Sequence, residues 1–292
     1  MSKRFAYYPG CSLEKTCKPY DDSVRETFKT LNIGLEEIED WNCCGATLSV
    51  GLDDRGSTYL CARNIAIAEK MGLDLAVPCS ACFTALKKAE YTMEDSPGIK
   101  EKVRGFLKDE GFEYEGKPRV RHVIDILVND AEEEIKKSVK KSLKGIKAAP
   151  YYGCQIVRPK SELDDTDHPV ILDKLVSYIG AEPSRFTMKS KCCSGLLVQT
   201  MENVADDMIR EILLSAKQGG ADMIVTACPL CQLNLEAYQS KLSRKYKEDL
   251  NIPILYFTQL MGVAFGIDPK KLGIDRNFIN ADKALAKATG GK

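Results

Sequence analysis

Ten of the twelve cysteines in this 292-residue chain fall into two sets of five. The first set is Cys11, the adjacent pair Cys43-Cys44, and Cys79 with Cys82 in Pro78-Cys79-Ser80-Ala81-Cys82. The second is Cys154, the pair Cys192-Cys193, and Cys228 with Cys231 in Cys228-Pro229-Leu230-Cys231. In both sets 34 residues separate the adjacent pair from the closing Cys-x-x-Cys, and the last four cysteines of the first set recur 149 positions later. Thiolates bind soft metals and iron–sulfur clusters. A Cys-x-x-Cys where a strand gives way to a helix sets two sulfurs beside unpaired backbone N–H groups that favour the thiolate. A four-cysteine zinc staple in each half is one product of such spacing. Each half, however, offers five cysteines, two of them adjacent, and adjacent sulfurs suit a centre of several irons better than a four-ligand zinc.

A disulfide framework is a further rival and fits poorly. Adjacent cysteines bridge each other only with strain, and small disulfide-built domains are much shorter than this chain. The opening Met1 to Tyr8 holds no apolar run of signal-peptide length, and no apolar stretch is long enough to span a bilayer. The chain therefore reads as soluble and cytoplasmic, where clustered cysteines serve metal or redox chemistry. Lys and Arg number 42 against 42 Asp and Glu, so no net field draws the molecule to nucleic acid or to an anionic membrane. The C-x-x-C-x-x-C-x-x-x-C-P run of bacterial ferredoxins is absent, which leaves electron entry to a partner.

The elements that must position these sulfurs repeat with them. Phe5 to Tyr8 predicts a buried strand leading to Gly10 and Cys11. A helix follows, with Asp21 and Asp22 in its first turn, Val24, Phe28 and Leu31 as its apolar stripe, and Gly34 as its stop. Leu35 to Trp41 predicts a short strand delivering Cys43-Cys44. Ser57 to Met71 predicts a helix with Leu60, Asn64, Ile67 and Met71 on one face and Gly72 at its end, and Leu73 to Val77 a strand before Cys79. Cys79 and Cys82 open the next helix. In the second half Ala148 to Tyr152 leads to Cys154, Val170 to Ile179 and Glu202 to Gln218 are helical, and Met223 to Val225 is a strand. One helix then runs from Cys228 through Leu235, Tyr238 and Leu242.

Each half has a tail. Gly98 to Gly111 reads as a helix, Val120 to Val128 as a strand turning into a helix, and Ala131 to Lys147 as a Glu/Lys-rich linking helix. Ile254 to Phe257 reads as a strand, Thr258 to Gly266 as a helix, and Ala281 to Lys292 as a frayed end. The fold class expected is α/β: two pseudo-repeated α/β domains, 1–147 and 148–292, each a small, mainly parallel sheet flanked by helices. Cofactors would sit at the C-terminal ends of the strands, between the domains.

The duplicated pattern resembles the CCG motif of the B-subunit of CoB–CoM heterodisulfide reductase, from Tyr7 to about Gly266. That resemblance implies two noncubane [4Fe-4S] clusters, one on Cys11, Cys43, Cys44, Cys79 and Cys82, the other on Cys154, Cys192, Cys193, Cys228 and Cys231. It implies a catalytic subunit that splits a disulfide lying between the clusters, each supplying one electron. In the methanogenesis family the substrate is the coenzyme M–coenzyme B heterodisulfide. The partners implied are an iron–sulfur C-subunit together with a flavin A-subunit, and a hydrogenase or formate dehydrogenase module in larger complexes, where flavin-based electron bifurcation couples disulfide reduction to ferredoxin reduction. CCG domains also serve quinone-linked oxidoreductase complexes, which is the alternative reading. A zinc-stapled scaffold without catalysis is the second.

The two copies differ at two points. Cys43-Cys44 is followed by Gly45, whereas Cys192-Cys193 is followed by Ser194 and then Gly195, which predicts a modest backbone adjustment and an intact site. The gap from the single cysteine to the pair is 31 residues in the first copy and 37 in the second, a difference that a loop near Asp164 to Pro169 can absorb.

A pocket for anionic thiols would present cations, and Arg158 and Lys160 after Cys154, with Lys15 and Lys18 after Cys11, occupy equivalent places; ordinary solvated surface charge is the competing reading of each. His122 is a candidate proton donor to a released thiolate, although a histidine in an apolar strand more often has a structural hydrogen bond. Cys61 reads as a small core residue, Cys17 is outside the ligand set, His168 reads as a loop residue and Trp41 as core.

Overall fold

The computed structural model describes residues 3–46, 54–158 and 162–288. Its first half runs β1 (Arg4–Tyr7), α1 (Gly10–Glu14), α2 (Lys18–Thr30), β2 (Gly34–Glu37), α3 (Asp54–Met71), β3 (Leu75–Val77), α4 (Ser80–Asp95), α5 (Pro97–Asp109), β4 (Val120–His122), α6 (Val123–Asp130) and α7 (Glu132–Ser138). Its second runs β5 (Lys147–Tyr151), α8 (Ile171–Tyr178), β6 (Glu182–Pro183), α9 (Leu197–Thr200), α10 (Glu202–Gln218), β7 (Met223–Thr226), α11 (Pro229–Ala237), α12 (Gln239–Tyr246), β8 (Ile254–Tyr256), α13 (Phe257–Ala264) and α14 (Asp282–Leu285). The strands form two four-stranded sheets, β2-β1-β3-β4 and β6-β5-β7-β8, parallel throughout. Parallel sheets need both faces covered, and the short runs of buried apolar residues in β1, β3, β5, β7 and β8 answer that need.

The pleat of the second sheet divides its side chains between two cores. Ala148, Met223 and Val225 face the large core, which extends from Phe5 to Ala284 through both halves, whereas Ala149, Tyr151 and Ile224 face a smaller one with Phe186, Ile209, Leu213 and Leu235. The shared core is built reciprocally. The helix that leaves the last strand of each sheet packs on the first long helix of the other half, α6 against α8 and α13 against α2. Polar contacts cross the same seam. Ser23 Oγ and Thr258 Oγ1 lie 2.6 Å apart, Thr27 Oγ1 donates to the Thr258 carbonyl, Ser80 Oγ to the Ala227 carbonyl, and Thr84 Oγ1 to the Gln155 carbonyl.

Four local expectations are corrected. Asn32, at φ 55°, turns the chain after α2, and Gly34 instead starts β2. The linking helix stops at Ser138, because the backbone N–H groups of Lys140 and Lys141 both donate to the Ala264 carbonyl and so satisfy the C-terminal end of α13. The single helix expected after Cys228 divides at Tyr238 into α11 and α12, where the Gln239 side chain donates to the carbonyls of Leu235 and Ile252. Finally, the chain is packed as far as α14, whose Ala281 cap and Ala284 are buried in the shared core, so no fraying begins at Ala281; 289–292 lie outside the described residues.

Candidate functional site

All ten paired cysteines stand where a parallel sheet delivers its strands, the usual place for ligands in open α/β sheets. Cys11 follows β1 in the first turn of α1, the Cys43-Cys44 loop follows β2, and Cys79 caps α4 after β3. In the second copy Cys154 follows β5, the Cys192-Cys193 loop follows β6, and Cys228 caps α11 after β7. Gly10 and Gly153 immediately precede the single cysteines with φ of +73° and +67°. At either glycine a Cβ would stand 2.9 Å from a sulfur, that of Cys82 or that of Cys231.

The loops that carry the adjacent pairs are held from behind by buried asparagines. Asn64 of α3 accepts from the Asn42 N–H and donates to the Asn42 carbonyl, and Asn234 of α11 donates to the carbonyls of Cys193 and Gly195. Two tyrosines repeat a second anchor: Tyr8 donates to the Asn42 carbonyl and Tyr151 to the Lys191 carbonyl. Sequence reasoning overlooked both devices. An asparagine within the apolar stripe of Leu60, Ile67 and Met71 was the available signal for the first.

Each set of sulfurs forms a row. Cys11 lies 3.9 Å from Cys43, Cys43 adjoins Cys44, Cys44 lies 3.4 Å from Cys82, and Cys82 adjoins Cys79. The second row runs Cys154, Cys192, Cys193, Cys231, Cys228 in the same order. All are free thiols. Among the described residues no three His, Cys, Asp or Glu side chains surround a point as they would a single ion; the sulfurs are strung out side by side. Neighbouring thiols lower the pKa of one sulfur in each pair, Cys44 through Cys43 and Cys82, and Cys192 through Cys154 and Cys193. The Cys231 thiol, and behind it the N–H groups of Cys231 and Leu230, lower that of Cys228. Cys43, Cys82, Cys154, Cys193 and Cys231 are instead pushed up by their neighbours and by burial, so in each row thiols that hold their proton lie beside one or two that release it. Five free sulfurs in contact fit an iron–sulfur centre, whose irons take thiolate ligands.

Both rows run from the surface inward. Cys11 and Cys43 are exposed, Cys154 and Cys192 half-buried, and Cys79, Cys82, Cys228 and Cys231 buried. Their inner ends approach a common place. Burial raises the pKa of the Tyr20 hydroxyl, and charge on Cys79 and on Cys228 raises it further, so the first and second rows both bear on one ring. That ring stacks on Tyr256, which lies beside Cys17 and Cys228. A groove of about 890 Å³ lined by Tyr59, Ile99, Val103 and Phe106 lies apart from all ten cysteines.

The remaining candidates fall as follows. Lys18 pairs with Asp21 and Asp22, Arg158 with Asp167, Lys15 is exposed beyond α1, and Lys160 lies outside the described residues. His122 is fully buried and caps α6, its Nδ1 accepting from the Ile124 N–H while its Nε2 points at the Pro78 carbonyl without a hydrogen bond. Burial holds its pKa down to about 3, so near neutrality the imidazole carries no extra proton to give. Cys61 is buried with its thiol on the Cys44 carbonyl, Trp41 packs edge-on against Tyr8, and His168 is an exposed loop residue. Ser194 takes φ 72° where Gly45 takes 70°, so the expected backbone adjustment is absent and the serine itself adopts the left-handed conformation. The loop before α8 is ordered by Asp164, which accepts from the N–H groups of Val170 and Ile171.

The cysteine-rich domain model named CCG matches residues 5–87 and again 148–236. The chain is 34% identical, over 97% of its length and 99% of the relative's, to the 8-methylmenaquinol:fumarate reductase membrane anchor subunit of Wolinella succinogenes. It is 30% identical, over 97% and 96%, to the B-subunit of the ferredoxin/F420H2-dependent CoB–CoM heterodisulfide reductase of Methanosarcina acetivorans. It is 32% identical, over 92% and 93%, to a heterodisulfide reductase B-subunit-like protein of Archaeoglobus profundus. A crystal structure of a hypothetical protein from Helicobacter pylori shares the fold with a TM-score of 0.74 at 15% identity, over 94% of this chain, which spans 52% of that one. No helix among the described residues is long and apolar enough to cross a membrane, including in this relative of a membrane anchor subunit. With two copies of the five-cysteine frame and relatives aligned end to end, the chain belongs to the duplicated cysteine-rich CCG-domain family that includes the B-subunit of heterodisulfide reductase.

Proposed function

We propose that this chain is the catalytic iron–sulfur subunit of a multi-subunit oxidoreductase and that it reduces a disulfide to two thiols. The observation that carries the reading is the approach of two sulfur rows to one place, with Cys79 and Cys228 both bearing on Tyr20. Breaking a disulfide takes two electrons and two protons. Two noncubane [4Fe-4S] clusters, on Cys11, Cys43, Cys44, Cys79 and Cys82 and on Cys154, Cys192, Cys193, Cys228 and Cys231, would each supply one electron at a time. The chain's own part is to hold both sulfur rows rigidly: Asn64 and Asn234 fix the paired-cysteine loops, and the reciprocal packing of α13 on α2 and α6 on α8 fixes the two rows relative to each other. Burial of Cys79, Cys82, Cys228 and Cys231 keeps water from the inner ends. Electrons would enter at the exposed Cys11–Cys43 end from an iron–sulfur partner subunit, itself supplied by a flavoprotein.

A second reading follows from the 34% identity to a menaquinol:fumarate reductase subunit: the same two centres would pass electrons singly to or from a quinone. Anaerobically purified protein separates these readings. The disulfide reading expects about eight irons per chain and oxidation of reduced viologen by the coenzyme M–coenzyme B disulfide or a simpler organic disulfide, with no stimulation by a menaquinone analogue. Full iron with turnover of the quinone and none of any disulfide overturns it in favour of the quinone reading. Zinc without iron overturns both.

A further inference from the structure

The second half buries a line of polar side chains that the fold itself does not require. Glu236 on α11 has one carboxylate oxygen accepting from the Gln232 amide and the other from the N–H of Ile279. Gln232 accepts at Oε1 from the Tyr256 hydroxyl at 3.4 Å, and that hydroxyl lies beside the Cys17 thiol, whose pKa it lowers. Relative exposures are 1% for Glu236, 7% for Gln232, 1% for Tyr256 and 8% for Cys17. The line thus runs from beneath the surface segment of Phe278 and Ile279, where Phe278 is exposed, to the seam where Ser80, next to Cys79, donates to the carbonyl of Ala227, next to Cys228.

The duplication supplies an internal control. Tyr256 and His122 occupy the same place, each capping the helix that leaves the last strand of its sheet. Phe83 and Lys87 stand 149 positions before Gln232 and Glu236. In the first half, therefore, an apolar ring meets His122 edge-on at 5.5 Å where an amide meets Tyr256 in the second, and Lys87 pairs with Glu90. A frame that folds with Phe83 has no architectural need of Gln232, and buried polar groups cost stability unless something requires them.

We propose that Glu236, Gln232 and Tyr256 form a proton-supply line to the seam between the two sulfur rows, with Cys17 at its inner end. The inference rests on the disulfide-reductase reading above. With electrons from an iron–sulfur donor subunit, RSSR + 2e⁻ + 2H⁺ gives 2 RSH, and each proton follows the same route. A nascent thiolate takes the proton of Cys17, and the Cys17 thiolate takes that of Tyr256. The tyrosinate takes an N–H proton from the Gln232 amide, turned so that Oε1 faces Glu236 and accepts the carboxyl proton. The imidic acid so formed returns to the amide as that proton moves from oxygen to nitrogen, ready for the second proton. Water at the Phe278–Ile279 edge reprotonates Glu236. The groups facing Glu236 are the Gln232 amide and the N–H groups of Phe278 and Ile279; no cation among the described residues pairs with it, and burial raises its pKa to about 7, a value suited to exchange near neutrality. Facing Tyr256 are Cys17, Tyr20 and Cys228.

The test uses the holoprotein in three arms. Turnover of a disulfide with reduced viologen, followed from pH 6 to 8, should fall in the wild type as Glu236 loses its proton; Glu236→Gln and Tyr256→Phe should each slow it by about tenfold or more, flatten that dependence and enlarge the solvent isotope effect. Infrared difference spectra without substrate should contain a buried carboxyl titrating near pH 7 that Glu236→Gln removes. Iron content and denaturation midpoint should show both variants folded; should Glu236→Gln not fold, Tyr256→Phe and Glu236→Asp carry the same comparison. Wild-type rates and an unchanged pH profile in the variants overturn the line while leaving the disulfide reading intact. A wild type that turns over no disulfide overturns that reading instead. In that case absence of the carboxyl band overturns the titrating carboxyl as well.

Discussion

Tyr20 of α2 and Tyr256 at the end of β8 stack with ring centroids 4.1 Å apart and planes 2° from parallel, joining residues from opposite halves between Cys79 and Cys228. The Tyr20 hydroxyl donates to the Pro78 carbonyl, one residue before Cys79, and Phe257 meets the same ring edge-on at 6.2 Å. One side chain thereby ties the inner end of the first row to the second half.

Replacing that ring separates its two contributions. Tyr20→Phe keeps the stack and loses the bond to Pro78, and should cost about 1 kcal/mol. Tyr20→Ala also empties a buried site and should cost about 3–5 kcal/mol. Denaturant midpoints of the two variants check this. Equal losses would mean that the bond to Pro78 within the first half, and not the stack across the seam, carries the contribution of Tyr20.

Ser194 is strained where its counterpart is not. A non-glycine residue in the left-handed region costs about 1–2 kcal/mol, and among the described residues its buried hydroxyl has no hydrogen-bond partner. Ser194→Gly should therefore stabilise the protein by about 1 kcal/mol, after allowance for the greater freedom of glycine in the unfolded chain, and Gly45→Ser should destabilise it similarly. Matched denaturation curves decide the matter, and a destabilised Ser194→Gly would show that the serine has a role the fold does not explain.

Most of what positions the sulfurs was legible from sequence because it is local. The strands before Cys11, Cys79 and Cys228, the helices that Cys79 and Cys228 cap, and the turn at Gly72 follow from short apolar runs and from the residues that end them. What was not legible depends on contacts distant in sequence. The linking segment after Ser138 abandons its helical charge pattern to satisfy the end of α13, and Gln239 divides a continuous apolar stripe by bonding to Ile252 across a loop. Tyr256 and Tyr20 lie 236 positions apart, so no periodicity relates them. Asn64 was visible as a polar residue in an apolar stripe, yet only the fold places it behind Cys43.

Two buried groups set opposing pH slopes. His122 has a pKa of about 3 folded against 6.5 unfolded, so between those values the unfolded chain holds the extra proton and stability falls by about 1.4 kcal/mol for each unit of acidification. Glu236 has about 7 folded against 4.5 unfolded, so between those values the folded chain holds the proton, and acidification adds stability at about the same slope. From pH 6.5 to 5 the two effects largely cancel in the wild type. Glu236→Gln should lose stability relative to wild type as the pH falls through this window, and His122→Asn should gain it. Urea midpoints for the three proteins at pH 6.5 and 5 test the signs, and parallel behaviour of both variants with wild type would remove these residues from the acid response.

If each sulfur row holds its own iron–sulfur centre, as proposed, the duplicated frame predicts that the centres can be lost one at a time. A Cβ on Gly153 would collide with the Cys231 sulfur and strain a backbone at φ +67°, while the first row lies in a separate half with its own Gly10 and Cys82. Gly153→Ala should therefore bring iron down by about half, to roughly four per chain, and Gly10→Ala should do the same by removing the other centre. Cys61→Ala, by contrast, deletes a buried core thiol whose hydrogen bond goes to the Cys44 carbonyl and not to a sulfur, and should leave iron content unchanged. If disulfide turnover needs paired one-electron donors, either glycine variant should lose it entirely while keeping half its iron. Full iron in Gly153→Ala would show that the second sulfur row tolerates a side chain against Cys231, and retained turnover with half the iron would show that one centre suffices.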